Sequence, residues 1–269
     1  MTYDALYVDG TNVLVAGCRF IEDWSPLYGT SPLRGDNHVI PGRAGEVAVP
    51  KVIGARTMPL AFVVTAADPA TGVESSDLNT ASKQARLNFR TLVRLLNPGG
   101  TITLKRVIGY PAGDETHTCT AEFLSALDPA YDLGTDEFAR TVVDLRLLDG
   151  VWYKETAVEH VLTGTSSVSI LGDVTTRRMT IEFAGSSAAQ ALVNSTTGET
   201  VTIDAMNTTT HEAVLDVEDF TAVRNSVNIV GKVEGSGPDY AWMTLEPGTN
   251  SLTVTGGGTV TLTYYPAYL

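Results

Sequence analysis

Cysteine is nearly missing from this chain of 269 residues: Cys18 and Cys119 are the only two. Two thiols far apart make no disulfide framework, and their spacing fits no zinc motif. Both are expected to be small, reduced, buried side chains. Histidine is as sparse, and His38, His117, His160 and His211 stand singly, without the i,i+4 pairing of a metal-binding helix. Cations are short too: 18 Lys and Arg face 31 Asp and Glu, for a net charge of -13. Such a chain lacks the counterion-releasing surface of a general nucleic-acid binder. No apolar run approaches the roughly 18–20 residues that cross a bilayer, so no membrane partner is expected. The opening residues 1–10 carry neither a basic nor an apolar leader region, which predicts folding in the cytoplasm where the chain is made. G-x-S-x-G, the Walker loop, G-x-G-x-x-G and H-E-x-x-H are all absent. Enzyme readings have no residue to rest on, and no catalytic, cofactor-binding or metal-binding residue is expected.

What the chain does have is alternation. Apolar residues make up 43% and charged residues 18%, the balance of a folded protein. Met58/Leu60/Phe62/Val64, Ile102/Leu104 and Val143/Leu145/Leu147 sit two apart. So do Met179/Ile181/Phe183, Val201/Ile203, Ala213/Leu215/Val217, Leu252/Val254 and Val260/Leu262/Tyr264. A period of two sends one set to a core and the other to water, the pattern of half-buried strands. Asp9-Gly10, Asp149-Gly150, Thr197-Gly198 and Glu246-Pro247-Gly248 punctuate them, and Gly256-Gly257-Gly258 reads as a hairpin turn between two strands. Short strands so spaced predict a mainly β fold of sandwich or barrel type.

One stretch departs from this. Across residues 75–97, Leu78, Ala81, Ala85, Phe89, Leu92 and Leu96 form one stripe at 3.6 residues per turn. Lys83, Arg86, Arg90 and Arg94 fall on the opposite side. Ser75, Ser76 or Asp77 supplies an N-cap, and Asn97-Pro98-Gly99-Gly100 stops the helix. The four cations read either as a solvated face or as an interface; in a protein this acidic, they complement its own average surface. A second irregular stretch, residues 27–51, is rich in proline and glycine and keeps no period. A connection this long reads either as an arm that orders on a partner, with Arg34 and Arg43 as its candidate contacts, or as a plain long surface loop.

The length fits two domains. A boundary near residue 155 gives 1–155 with 14 basic and 19 acidic residues (net -5). Residues 156–269 then hold 4 basic and 12 acidic residues (net -8). Other motifs are weaker. Arg34-Gly35-Asp36 is better read as a turn than as an adhesion tripeptide. The sequons at Asn194 and Asn207 mean nothing without a secretory route. Asp216 and Glu218 are expected to share the polar face of a strand opposite Leu215 and Val217, as solvated edge charge rather than a hydrolytic pair. Trp152, Tyr153, Tyr240, Trp242, Tyr264, Tyr265 and Tyr268 crowd into the second half, where they form either core or a sugar platform.

The order of these features resembles a known family. A Gly/Pro/Arg loop leads into the strand at 55–65, and a single helix bears Arg86-Leu-Asn-Phe-Arg-Thr-Leu-Val-Arg-Leu-Leu-Asn97. A hairpin follows from Thr101, then Leu148-Asp149-Gly150-Val151-Trp152-Tyr153 and the ending Pro247-Gly-Thr-Asn-Ser-Leu-Thr-Val-Thr255. Over nearly the whole chain this is similar to the distal tail proteins, or minor tail proteins, of phages with long non-contractile tails, especially those infecting actinobacteria. The resemblance implies a tail-tube-like β-barrel or sandwich with one helix at 1–155 and a galectin-like β-sandwich at 156–269. It implies a structural virion protein forming a homo-oligomeric, hexameric ring at the tail tip, made in the host cytoplasm. Its partners would be the tail tube protein and a tail-tip hub, with DNA passing through the lumen without specific binding. Arg34, Arg43, Lys83, Arg86, Arg90 and Arg94 are then the candidate oligomer or tube contacts. A carbohydrate-binding host-adhesion module and a tail-tube subunit are the alternatives.

Overall fold

The computed structural model describes residues 5–15, 18–34, 38–39, 46–47, 52–96, 99–110, 113–124, 130–131, 138–184, 186, 188–204, 212–236 and 242–269. The chain forms two compact units, Met1–Trp152 with Leu269, and Tyr153–Tyr268.

The first unit begins with β1 (Ala5–Val8), β2 (Thr11–Asn12), β3 (Arg19–Ile21) and a 3-10 turn at Ser25–Tyr28. Four short strands follow: β4 (Leu33–Arg34), β5 (His38–Val39), β6 (Glu46–Val47) and β7 (Val52–Ile53). Then come β8 (Arg56–Thr65), α1 (Leu78–Leu96), β9 (Thr101–Tyr110), β10 (Gly113–Phe123), β11 (Ala130–Tyr131) and β12 (Phe138–Leu147). Eight of these strands share one antiparallel sheet, in the order β2-β1-β9-β10-β12-β8-β3 with β11 paired to β12. Met58, Leu60, Phe62 and Val64 on β8, Ile102 and Leu104 on β9, and Val143, Leu145 and Leu147 on β12 all point into its core. Burying each such side chain stabilises the fold by about 1.5–3 kcal/mol. Asp9-Gly10 makes the two-residue β1–β2 turn, with φ of 47° and 77°. That is the left-handed pair a type I′ turn requires.

Helix α1 packs on β8 and β12. Asp77 is its cap: Oδ2 accepts from the Thr80 backbone N–H (3.1 Å) and hydroxyl (2.5 Å). These bonds hold the Asp77 carboxyl below the usual range. The buried stripe is Ala81, Ala85, Asn88, Phe89, Leu92 and Leu96. Leu78 departs from expectation: it is 61% exposed, because it is the first residue of the helix and no turn precedes it to press it on the sheet. Asn88 is buried in the stripe instead. Its Nδ2 donates to the Thr65 and Ala67 carbonyls, both at 2.8 Å, and ties the helix to the end of β8.

β13 (Trp152–Lys154) spans the boundary between the units, and the second unit goes on with β14 (Val158–Leu162), β15 (Thr165–Ile170), β16 (Met179–Ala184), β17 (Gln190–Asn194) and β18 (Glu199–Ile203). It continues with β19 (Ala213–Asp216), β20 (Thr221–Arg224), β21 (Val227–Asn228), β22 (Val233–Ser236), β23 (Gly248–Thr255), β24 (Thr259–Tyr264) and β25 (Ala267–Tyr268). Sheets β14-β24-β16-β19-β20-β21 and β15-β23-β17-β18-β22 face each other across one core. Every alternating apolar position predicted in this half is in that core.

Two local expectations are corrected. Gly256-Gly257-Gly258 does not close a hairpin, because β23 pairs in the five-stranded sheet and β24 in the six-stranded one. The three glycines, at φ of 85°, 79° and 73°, carry the chain from one sheet to the other. A Cβ at Gly256 would strike the Ala189 carbonyl, so the crossing needs glycine there. The acidic segment also differs: β19 ends at Asp216, and Glu218 and Asp219 lie in a turn in which the Asp219 N–H bonds to Asp216 Oδ1 (3.1 Å). Leu215 and Val217 are buried as expected.

Candidate functional site

Residues 27–51 were expected to be without regular structure, but their described part is a β arm. Its two ladders pair Leu33↔Ile53 and Arg34↔Val52, then His38↔Val47 and Val39↔Glu46. The arm's root is fastened from the core side of the sheet. Arg56 and Arg106 stand at inward positions of β8 and β9, in phase with Met58 and Leu104. The Arg56 guanidinium donates to the Pro26 and Gly29 carbonyls, and Arg106 donates to the Leu27 carbonyl. Arg106 is only 4% exposed. Its guanidinium packs over the rings of Trp152 (4.5 Å) and Tyr28 (5.6 Å), and Nε donates to His117 Nδ1 (3.3 Å). His117 sits directly across the strand pair from it, with Nε2 toward Glu115 at 3.5 Å. On the other side of the root, the Gly54 N–H donates to the Pro32 carbonyl (2.9 Å), and Ser31 Oγ donates to the Gly150 carbonyl. Gly150, at φ 69°, has no room for a Cβ against the Gly54 carbonyl. A guanidinium has five donors in a fixed fork, suited to gathering successive carbonyls of a chain leaving the sheet.

The predicted contacts fall on two elements. Arg34 is exposed on β4, its side chain lying over Gly54. Arg43 lies outside the described residues. Lys83, Arg86, Arg90 and Arg94 are exposed on one face of α1, opposite the buried stripe. Leu87, 54% exposed, sits among them, and no Asp or Glu occurs in the helix. The buried arginines at the arm root were missed by the sequence reading. Their signal was present: a cation at the core parity of an otherwise apolar alternation.

The outward face of the first unit's sheet is threonine-rich, with Thr101 and Thr103 on β9 and Thr116, Thr118 and Thr120 on β10. Its described cations have local partners. Arg146 pairs with Glu122 (3.2 Å), Arg140 with Glu22 (3.4 Å), and Lys105 lies over the Tyr7 ring (5.8 Å).

The other candidate groups are structural. Cys18 and Cys119 are free and buried. Burial, with Asp149 adding to it, pushes the Cys119 thiol well up, and burial does the same more mildly at Cys18. Burial therefore disfavours the thiolate form at both. Asn194 is fully buried, its Nδ2 donating to the Thr244 carbonyl (3.0 Å) and Asn250 Oδ1 (3.1 Å). It is no glycosylation site. Trp152 and Trp242 are 1% and 9% exposed, and Tyr264 is buried. Tyr153 and Tyr265 stack on the Arg178 guanidinium at 4.8 and 5.1 Å. Tyr240 lies outside the described residues. Among the described residues no cluster of His, Cys, Asp and Glu fits a metal ion, and no helix is long and apolar enough to cross a membrane.

Among the described residues the first unit combines one antiparallel sheet with a helix, and the second is a two-sheet sandwich. Residues 171–268, most of the second unit, match the family model of the siphovirus-type tail component, C-terminal domain. The whole chain shares its fold with the SPP1 Dit (gp 19.1) protein, described as a paradigm of the hub adsorption apparatus in phages infecting Gram-positive bacteria. The match has 16% identity, covers 100% of both chains and has a TM-score of 0.68. Chains of the phage P2 baseplate in its activated conformation, with Ca and with Sr, align over 98% of each chain at 7% and 8% identity. Their TM-score of 0.42 marks a likeness too distant to specify the fold. No curated protein matches the chain. The resemblance to phage distal tail proteins read from the sequence agrees with the family match and the shared fold.

Proposed function

We propose that this protein is a structural component of a siphovirus tail. In this reading six copies close into a ring at the tail tip, joining the tail tube to the hub that carries the adsorption apparatus. The observation that carries it is the family match over 171–268, within a chain whose entire fold is that of SPP1 Dit. The first unit would be the tail-tube-like, ring-forming module and the second the outward-facing sandwich. A ring hides strand edges such as β3 that would otherwise template aggregation. The arm supports the reading, because two buried guanidiniums hold the residues at its root. The threonine-rich outward face of the first unit suits a lumen lining. Its paired cations leave no positive strip to hold DNA phosphates during passage. Function then comes from assembly, and no enzymatic step is assigned.

Native mass spectrometry with negative-stain imaging of the purified protein tests this: the expected result is a closed oligomer with a central hole. Removing residues 32–45 should lower the oligomeric mass while both units still fold. An unchanged mass would remove the arm from the interface. A glycan array should show no sugar preference, and tight binding to one glycan would favour an adhesion module instead.

A further inference from the structure

The outward face of the six-stranded sheet in the second unit is as one-sided as the exposed face of α1, with the opposite sign. The register places Val161, Thr261, Glu182, Val214 and Val223 in a single row across β14, β24, β16, β19 and β20. The three valines in that row are 63%, 39% and 41% exposed. Glu159 and Asp216 flank the row in the next one, and Glu212 precedes β19. Within β14, β24, β16, β19 and β20 no Lys or Arg stands at an outward position; Arg178, just before β16 on the same side, is paired with Glu218 (3.5 Å). The carboxyl of Glu182 titrates above its ordinary value, raised by burial and then by Glu212 and Glu159. The acids therefore repel one another on this face, and an incoming cation would relieve that repulsion.

We infer that this acidic, valine-bearing sheet face is the docking surface for the basic face of α1 of a second copy of the same chain. The two faces match in sign and kind. Lys83, Arg86, Arg90 and Arg94 meet Glu159, Glu182, Glu212 and Asp216, and the exposed Leu87 meets the valine row. They also match in length. At 1.5 Å per residue, Lys83 to Arg94 spans about 16 Å. Four strand spacings from β14 to β20 span about 19 Å. A helix laid across the strands brings each cation near a strand bearing a carboxylate. The contact is heterologous, with a different patch on each copy, so repetition builds a ring or an open chain, not a two-fold dimer. This inference rests on the ring reading and names which surfaces meet.

The test uses full-length Arg90→Glu, Glu182→Arg and the double variant, studied by native mass spectrometry. Both sites are solvent-facing; Arg94→Glu with Glu159→Arg provides a second pair should a variant unfold by circular dichroism. Each single reversal should weaken association by about tenfold or more, and the double variant should regain it. An equimolar mixture of the two single variants should also reassemble, with unlike copies alternating, because both helix–sheet contacts are complementary between unlike copies and neither is between like ones. Raising salt should weaken wild-type association, since Debye screening shortens the reach of exposed charges. A wild-type oligomer indifferent to both reversals overturns the inference and leaves the ring reading standing. A double variant that recovers while the mixture stays monomeric assigns the pairing to a single chain and also overturns it. A monomeric wild type overturns both readings.

Discussion

The two units bury polar groups for the same purpose with opposite chemistry. In the first, Arg19, Arg56, Arg106, Asn88 and His117 lie in the interior. In the second the buried polar set is Thr176, Gln190, Asn194, Glu199, Thr244 and Asn250, with no cation among them. The first unit must hold the turn at residues 25–29, and a long guanidinium reaches from a core strand to a remote carbonyl. The second must close loops between two sheets, where short amides and a carboxylate suffice. Glu199 Oε2 accepts from the Thr244 N–H (2.6 Å), the Thr244 hydroxyl (2.7 Å) and the Thr197 hydroxyl (2.8 Å). Asn250 Nδ2 donates to the Glu246 carbonyl (2.7 Å) and completes the network. Cations thus anchor a turn at the root of the arm, and neutral or acidic groups seal a sandwich.

The sharpest way to break this comparison is Arg106→Ala. It removes the donor to Leu27 and His117 and the cation between two rings, and leaves a cavity. The expected loss is about 3–5 kcal/mol, seen in calorimetry as a shift in the transition of the first unit alone. Arg106→Lys should recover only part of it, because an ammonium lacks the planar fork. Next in size is Glu199→Ala in the second unit. With the Thr244 N–H left buried and unpaired, about 2–3 kcal/mol should be lost from the other transition. If either variant shifted both transitions equally, the units would not be separate in stability.

Arg19 sharpens the first half of the comparison from the other direction. It is buried, yet its Nε and Nη1 have no hydrogen-bond partner, and burial lowers its pKa. Unlike Arg106, it fastens no carbonyl through those atoms. Arg19→Met should therefore leave stability unchanged or raise it by about 1 kcal/mol, as replacing poorly compensated buried charge often does. A loss of stability in urea titration would show that this guanidinium also anchors structure.

Most of the fold was legible because a period of two leaves few alternatives. Each alternating set from Met58 to Tyr264 is buried as read. The helix was legible except at Leu78 and Asn88, where position in the first turn and a local hydrogen bond overrode hydrophobicity. Gly256-Gly257-Gly258 was misread because a turn's sequence fixes its backbone angles but not which sheet the next strand joins. The arm was hidden for a related reason: its ladders are two residues long, too short to show a period. Of the candidate contacts, the four helix cations were legible from helical spacing, since opposite faces follow from 3.6 residues per turn. The arm root was not, because a lone arginine in a strand is ordinarily read as solvated. Only tertiary contact with residues 26–29 reveals its use.

The smallest expected effect concerns the acid crowding on the second unit's sheet, a feature without counterpart on the first unit's outward face, where charges are paired. Glu182 titrates above its ordinary value because of burial, then Glu212 and Glu159. Its unfolded-state pKa is about 4.3. Below that value the carboxyl is protonated in both states and has no effect on stability. As pH rises from there through the higher folded-state value, the unfolded chain releases its proton more readily than the folded one, and the folded state loses stability. Glu182→Gln should therefore raise the melting temperature of the monomeric protein slightly at pH 7. The gain should shrink as pH falls toward 4 and vanish below it. In the assembled protein the sign should reverse, because the same change removes a carboxylate facing the neighbour's cations. Melting curves at dilutions below and above the association threshold separate the two effects. A variant no more stable than wild type when dilute, at pH 7, would mean that the acids on this face do not repel one another measurably.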